Sequence, residues 1–251
     1  IDFSQNITST TLLEDTREGY CHPLLLCPKS LPIAYMEFPR SGCTSFKTLM
    51  ALAEGIEWVG HGKTKFRCCS TWEAAINRTK IAVVRNPYSK MISSFMHPST
   101  CGEWCTSNWN ADAVENFTSW YNSLVKKYPT DVQDTFNHFK CQASQFRDSG
   151  LSRWHDSGTF FHVHLETVEK DWQLLENHLR TCHNYQPELL PLPLANSRNA
   201  NMGSDAALLN STPDVVKMIA SRCAQDFELF GYNTDITDVM PKSHDREDSD
   251  Y

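Results

Sequence analysis

Two short segments of the chain carry side chains suited to binding phosphate-like anions. The first reads FPRSGCTSF, from Phe38 to Phe46, and the second reads IAVVRNPYSKMISSF, from Ile81 to Phe95. In each, an apolar run leads into a polar turn and then into apolar residues at helical spacing. Because a helix N-terminus presents free backbone N–H groups and the positive end of the helix dipole, such a turn attracts an anion. Both segments therefore predict a strand, an anion-binding turn and a helix.

The first segment predicts its turn between Pro39 and Ser45. The run from Ile33 to Phe38 is short, apolar and bounded by prolines, which is typical of a buried strand. From Thr44 onward apolar residues recur on one helix face, and Gly55 is placed to end that helix. The segment lacks the Gly-Lys-Ser/Thr ending of a Walker A loop, which disfavours a P-loop kinase. Taken alone, it also fits an ordinary strand-to-helix turn capped by Ser and Thr.

The second segment adds an arginine and a serine that can grip one phosphate together. Arg85 follows the β-branched run that ends at Val84, while Asn86 is a favourable N-cap residue and Pro87 a favourable first helical residue. Ser93 comes about two turns into the predicted helix. Arginine suits the task because its planar guanidinium matches phosphate oxygens. The alternative for this segment is a capped helix with a surface arginine.

Together the two segments resemble the nucleotide-binding elements of the sulfotransferases. These enzymes transfer a sulfuryl group from 3'-phosphoadenosine 5'-phosphosulfate (PAPS) to an acceptor hydroxyl or amine. The resemblance implies that Arg85 and Ser93, eight positions later, bind the 3'-phosphate of the cofactor. It further implies that the first turn cradles the 5'-phosphosulfate. The implied ligands there are Arg40, Ser41, Gly42, Cys43, Thr44, Ser45 and Phe46.

Four further stretches resemble the Golgi carbohydrate sulfotransferases in particular. NHFKCQ (137–142) and FFHVHLETVEKDWQLLENHL (160–179) are similar to one stretch of that group, with Cys141 in place of its usual proline. CAQDFELFGY (223–232) is similar to its closing motif. LPLANSRN (192–199) resembles the loop that closes over the cofactor, which adds Ser197 and Arg198 to the implied cofactor ligands.

The acceptor class implied by the resemblance is a glycan hydroxyl, with two alternatives. Many members carry Lys where this chain has Arg40, whereas some membrane-bound Golgi members, including the tyrosylprotein sulfotransferases, carry Arg there, so a protein-tyrosine acceptor is the first alternative. The second is a sulfotransferase-like protein that binds nucleotide or glycan without turnover. A working catalytic base would separate that protein from the enzymes.

The catalytic residues are predicted around the same turn. Sulfuryl transfer resembles phosphoryl transfer, an in-line displacement with charge building on the leaving oxygen, which Arg40 would steady. The superfamily often carries its base, a His or a Glu, between the two phosphate motifs. His61, between two glycines, and Glu57 are the candidates here. No metal is expected, because the cysteines and histidines lack the spacing of a structural zinc site.

The predicted fold is α/β, a P-loop-like parallel sheet flanked by helices on both faces, as in sulfotransferases. The chain of 251 residues favours one such domain. We assign 1–30 to a polar, loop-like stem, 31–240 to the sulfotransferase domain and 241–251 to an acidic, disordered tail. Further predicted elements are a helix over Ala111–Tyr128, a strand over Phe160–Leu165 followed by a helix to Arg180, and a last helix from Thr212 or Pro213 to just before Gly231.

Composition predicts the compartment. Ten cysteines indicate disulfide bonds and an oxidising environment, with pairings that the sequence leaves open. N-x-S/T sequons, which predict a glycoprotein, occur at Asn6, Asn77, Asn116 and Asn210. The abrupt start at Ile1 and the resemblance predict the Golgi luminal domain of a membrane protein whose N-terminal anchor precedes this sequence. The formal net charge of −7 argues against a dense polyanion such as nucleic acid as the partner, and the resemblance implies a glycan or glycoprotein acceptor.

Overall fold

The strands form one sheet within the part of the chain that the structure describes. This computed structural model describes residues 25–55, 77–97, 112–129, 138–148, 160–185 and 202–236. The strands are β1 (Leu25–Leu26), β2 (Ile33–Met36), β3 (Thr79–Val84) and β4 (Phe160–His164), which lie side by side in that order. β2, β3 and β4 are parallel, and β1 runs antiparallel to β2. The predicted parallel sheet is confirmed, and an antiparallel edge strand extends it.

Helices cover both faces of this sheet. They are α1 (Cys43–Ala53), α2 (Pro87–Phe95), α3 (Asp112–Lys127), α4 (Gln142–Asp148), α5 (Val168–His183), α6 (Met202–Ser211), α7 (Pro213–Arg222) and α8 (Ala224–Leu229). Alternate residues of β3 enter two separate hydrophobic clusters: Ala82 and Val84 join one, and Ile81 and Val83 join the other. The first cluster includes side chains from α2, α3, α7 and α8, and the second from α1 and α5. Burial on both faces explains why the last part of β3, Ile81 to Val84, is a continuous apolar run.

The parallel register brings the two predicted anion-binding motifs, Phe38–Phe46 and Ile81–Phe95, to one edge of the sheet. Met36, at the end of β2, pairs with Ala82, two residues before the end of β3. The turn that follows β2 and the residues that follow β3 therefore both leave the carboxyl edge. In open α/β sheets this edge is where ligands bind.

Three features of the fold differ from the sequence prediction. Leu25–Leu26 lies in the segment predicted as loop-like but is a buried strand that pairs with β2. The predicted last helix is divided into α7 and α8, because Cys223 leaves helical geometry (φ −106°, ψ 29°) and is bonded to Cys141. Helices α4 and α6 had no assigned periodicity in the sequence.

Some predictions fall outside the described residues. They concern residues 1–24 of the stem and the acidic tail at 241–251. Within the described ranges, none of the helices combines the length and the apolar character that crossing a bilayer requires.

Candidate functional site

The first motif forms a tight turn between β2 and α1. Ser41 N–H donates to the Phe38 carbonyl at 3.2 Å, and both Arg40 (φ 68°) and Gly42 (φ 75°) have left-handed backbone geometry. For Arg40 this conformation is costly, and such strain is concentrated at functional sites. Gly42 is the N-cap residue of α1 and provides no side-chain cap. The N-terminus of α1 therefore faces the turn, as the sequence predicts.

Gly42 has a second constraint besides its backbone angle. A Cβ atom at this position would lie 3.1 Å from Leu165 Cδ1 and 3.6 Å from Val83 Cγ1. The turn thus packs closely against the end of β3 and the residue after β4. A larger residue would push it away from the sheet edge.

The second motif has the local structure predicted from its sequence. Asn86 is the N-cap residue of α2, and its side chain accepts a hydrogen bond from Tyr88 N–H at 2.9 Å. Pro87 occupies the first helical position. Arg85, the residue before this cap, is partly buried at the end of β3.

The two motifs contact each other through their arginines. Arg40 Nη2 donates to Ser93 Oγ at 2.7 Å and to the Ser93 carbonyl at 2.5 Å, while Arg85 Nη1 donates to the Arg40 carbonyl at 3.3 Å. Arg40 therefore contacts two other residues of the predicted site, Ser93 and Arg85. The sequence analysis assigned Arg40 and Ser93 to opposite ends of the ligand, whereas in this structure their side chains are hydrogen-bonded.

The pKa of Arg85 is shifted by its burial and by the acidic groups near it. Burial lowers the pKa of the Arg85 guanidinium, and the nearby Glu166, Asp205 and Tyr232 act in the opposite direction. Burial likewise raises the pKa of Asp205, which the charge of Arg85 partly offsets. An incoming anion would find an arginine that already has acidic neighbours and is partly removed from water.

Cys43, the first residue of α1, is a free thiol. Burial raises the pKa of Cys43, and the negative charge of Glu37 adds to this effect. Glu37 is itself paired with Lys47 at 2.6 Å. The thiol is therefore neutral at physiological pH, and it places no negative charge in the turn.

The structure gives Ser41 a role other than the predicted one. Ser41 is fully buried, and its hydroxyl donates to Gln142 Oε1 at 2.8 Å. Its N–H is bonded to Phe38, so both donors of Ser41 are used within the protein. The same Gln142 Oε1 accepts from Arg85 N–H at 2.9 Å, and Gln142 Nε2 donates to the Arg85 carbonyl at 2.8 Å. Gln142 thus links the two motifs.

Two carboxylates that the sequence analysis assigned no role complete this network. Asp226 accepts from the N–H groups of Gln142 (2.8 Å) and Ala143 (2.7 Å) at the start of α4. Glu166 accepts from Asn86 N–H at 2.9 Å and from the Tyr232 hydroxyl at 2.7 Å. All of these except Ala143 and Asn86 lie within the further stretches quoted for the resemblance. Those stretches were the available signal, but they gave no indication of which side chains would meet.

A disulfide joins the segments that carry Gln142 and Asp226. Cys141 and Cys223 form a disulfide, and Cys27 is also in a disulfide, which confirms the prediction that the chain contains disulfide bonds. Among the described residues, one cluster of potential metal ligands contains Cys141, Cys223 and Asp226. Because the two sulfur atoms are bonded to each other, this cluster has a structural role.

Four predicted site residues lie outside the described residues. They are the two candidate bases, His61 and Glu57, and the two loop residues, Ser197 and Arg198. Their positions therefore stay predictions. The described portion of the site comprises the turn at Arg40–Ser45, Arg85 and Ser93. Phe46, predicted as a cofactor ligand, is instead a core residue: its side chain is 0% exposed, and its N–H donates to the Gly42 carbonyl at 3.1 Å.

The family model described as "Sulfotransferase family" matches residues 22–233, which is most of the chain. This chain belongs to the sulfotransferase family. No curated protein and no solved structure gives a match.

Membership assigns the general activity of this sulfotransferase. The family transfers sulfuryl groups, so the protein is a transferase with an acceptor substrate. The matched range includes both phosphate-like motifs, the Gln142 segment and the closing stretch at 223–232. The α/β sheet with helices on both faces agrees with this assignment.

Proposed function

We propose that this protein uses PAPS as the sulfuryl donor and a glycan hydroxyl as the acceptor. The observation that carries the donor assignment is the contact between the two motifs at one sheet edge. Two arginines, Arg40 and Arg85, and the Ser93 hydroxyl meet there beside the N-terminus of α1. A cationic cluster next to a helix N-terminus suits a nucleotide with anionic groups at two positions. The residues present therefore fit the cofactor that the family implies.

The proposed roles follow from the chemistry of the side chains. Arg85 and Ser93 would hold the 3'-phosphate, and the turn from Gly42 to Ser45 would hold the 5' end, with Phe46 supporting that turn from the core. Ser41 would act indirectly, because its donors are already bonded within the protein. Ser197 and Arg198 would add ligands from a loop. When bound, PAPS supplies the sulfuryl group; we propose no metal in this step.

Arg40 would have two roles: it would hold Ser93 in place, and it would stabilise the leaving group. Its guanidinium is hydrogen-bonded to Ser93, so it lies between the proposed 3'-phosphate ligands and the turn. Cationic charge placed there stabilises negative charge that develops on a leaving group. His61 or Glu57 would take the proton from the acceptor hydroxyl, which is the usual task of a positioned base.

The proposed compartment is the Golgi lumen, with an N-terminal membrane anchor that precedes this sequence. What supports it is the use of cysteine: Cys141, Cys223 and Cys27 are in disulfides. Disulfides form and persist in oxidising compartments. The partner would then be a glycan or glycoprotein rather than nucleic acid.

The protein-tyrosine alternative is favoured by one specific observation, the arginine in the PRSG turn. A screen with sulfur-labelled PAPS separates the acceptors. We expect label to be transferred to glycans and to be absent from tyrosine-containing acidic peptides. Transfer to the peptides alone would contradict the glycan assignment. Nucleotide binding without transfer to any acceptor would favour the non-catalytic alternative.

A further inference from the structure

The buried amide of Gln142 contacts both phosphate motifs and yet does not reach the site itself. Gln142 is 0% exposed, so it is not available to touch a nucleotide. Its Oε1 accepts from the Ser41 hydroxyl of the first motif and from the Arg85 N–H of the second. Ser41 lies 101 residues from Gln142 in the chain, and Arg85 lies 57 residues away, so no local structure makes these contacts.

The orientation of the amide is determined by its partners. Two donors, Ser41 Oγ–H and Arg85 N–H, face Oε1, and two acceptors face Nε2: the Arg85 carbonyl at 2.8 Å and Asp226 Oδ2 at 3.4 Å. With the amide reversed, an NH₂ group would face donors and an oxygen would face a carbonyl. A buried polar group whose partner is missing is costly, so each of these four bonds matters. A glutamate at this position could keep the Oε1 contacts, but it would lose the Nε2 donor and place an oxygen against the Asp226 carboxylate.

Gln142 is itself held in place from the opposite side. Asp226, also 0% exposed, accepts from the backbone N–H groups of Gln142 and Ala143. The disulfide between Cys141 and Cys223 connects the residue before Gln142 to the residue before α8. The amide therefore projects from an anchored backbone and has little freedom to follow either motif if that motif moves.

We infer that Gln142 is a positioning residue that fixes the separation between the Ser41 turn and Arg85. This inference rests on the proposed use of a nucleotide with a phosphate at each end. Such a ligand gains from both motifs only if their separation matches its own length, because binding sites lose affinity when they are not preorganised. A ligand with a single phosphate needs one motif and does not depend on that separation.

The test compares two nucleotides on the full 251-residue chain. Calorimetry measures Kd for 3'-phosphoadenosine 5'-phosphate, which has both phosphates, and for adenosine 5'-phosphate, which lacks the 3' group. We expect Gln142→Glu to weaken the first by about tenfold to a hundredfold and to leave the second within about twofold, because the shorter of the two lost bonds is the one to Arg85. Gln145→Glu is the matched control, since Gln145 lies on the same helix and its Nε2 donates to the Lys140 carbonyl. It should keep the wild-type ratio of the two Kd values.

Two further variants keep the inference falsifiable if Gln142→Glu does not fold. Ser41→Ala removes the hydrogen bond to Gln142 from the other end with almost no change in volume. It should also reduce the preference for 3'-phosphoadenosine 5'-phosphate over adenosine 5'-phosphate. In an Arg85→Ala background, Gln142→Glu should cost the bisphosphate less than about twofold, because the partner being positioned is absent. A lower melting temperature with an unchanged ratio in both Gln142→Glu and Ser41→Ala would overturn the positioning role. A wild-type protein that does not prefer the bisphosphate would overturn this inference and the proposed function together.

Discussion

Individual residues at one sheet edge of this protein differ in what they are suited to do. Arg40 has a left-handed backbone conformation, and its guanidinium bonds to Ser93. Asp226 is fully buried, and its carboxylate accepts two backbone hydrogen bonds at the start of α4. The first residue is suited to meeting a ligand, and the second to holding the frame behind it.

Asp226 predicts a pH dependence of stability. Burial raises its pKa from 3.8 to about 6, against the opposing effect of its hydrogen bonds with Ala143 and Gln142. The folded state therefore holds a proton there that the unfolded state has released. Its contribution to stability is fully present below pH 3.8 and is lost as the pH rises through about 6. The loss is at most about 3 kcal/mol.

Urea unfolding of the wild type and of Asp226→Asn across this pH range measures the effect. The variant should be less stable overall, because its NH₂ group faces a backbone donor, but it should lack this part of the pH slope. Asp214→Asn, at an exposed position, is the control for removing a carboxylate. Equal slopes in the wild type and Asp226→Asn would show that Asp226 does not titrate in this range.

The identity of the base is a second prediction at this scale. We expect His61→Ala to lower kcat by about 10²- to 10⁴-fold, the usual contribution of a general base, with cofactor affinity almost unchanged. The acidic limb of the kcat–pH profile should disappear with the histidine and should persist in Arg40→Ala. If His61→Ala keeps near-normal turnover while Glu57→Ala is inactive, the base is the glutamate. Activity in both variants would place the base elsewhere.

At the scale of elements, the turn between β2 and α1 depends on Gly42. Gly42 and Gly55, at the two ends of α1, both have positive φ angles (75° and 64°), but only Gly42 would bring a Cβ atom close to another residue. We expect Gly55→Ala to cost about 1 kcal/mol of stability and to leave nucleotide binding intact. Gly42→Ala should cost more and also weaken binding, because Leu165 must move or the turn must shift. Calorimetry and thermal unfolding of both variants check this, and equal binding by the two would contradict it.

The elements show what the sequence could predict and what it could not. The capped start of α2 followed from Asn86 and Pro87, because capping depends on neighbouring residues. The strand Leu25–Leu26 was missed because two residues carry no period, and its structure comes from pairing with β2. The division between α7 and α8 depends on a disulfide between two cysteines that are 82 residues apart in sequence, and no local sequence pattern predicts that pairing. Contacts such as those of Gln142 likewise depend on the completed fold.

At the scale of the whole molecule, the Cys141–Cys223 disulfide ties α4 to the C-terminal helices across 82 residues of sequence. Closing a loop of this length limits the unfolded chain, so we expect the Cys141→Ala/Cys223→Ala variant to lose about 2–5 kcal/mol of stability. Cys182→Ala, which removes an exposed free thiol, is the control. Chemical unfolding of oxidised protein measures both. A double variant as stable as the control would contradict a structural role for this bond.

The organisation of the whole molecule puts the two predicted phosphate-binding motifs, from separate parts of the chain, at one edge of one sheet. Local residue types predicted the strand, turn and helix of each motif, and the resemblance to sulfotransferases implied their joint use. It did not predict that Arg40 would bond to Ser93 or that Ser41 would face Gln142. Those side-chain directions are set by packing between segments that are distant in sequence.

The most direct test of this account is the binding of 3'-phosphoadenosine 5'-phosphate and adenosine 5'-phosphate to the wild type and to Arg85→Ala, by calorimetry. We predict that the wild type prefers the 3'-phosphorylated nucleotide and that Arg85→Ala loses most of that preference, because a charge-assisted bidentate contact is removed. Ser93→Ala should lose less of it, since it removes one neutral donor. Arg180→Ala, on the exposed surface of α5, should behave as the wild type. An unchanged preference in Arg85→Ala would contradict the assignment of the 3'-phosphate site.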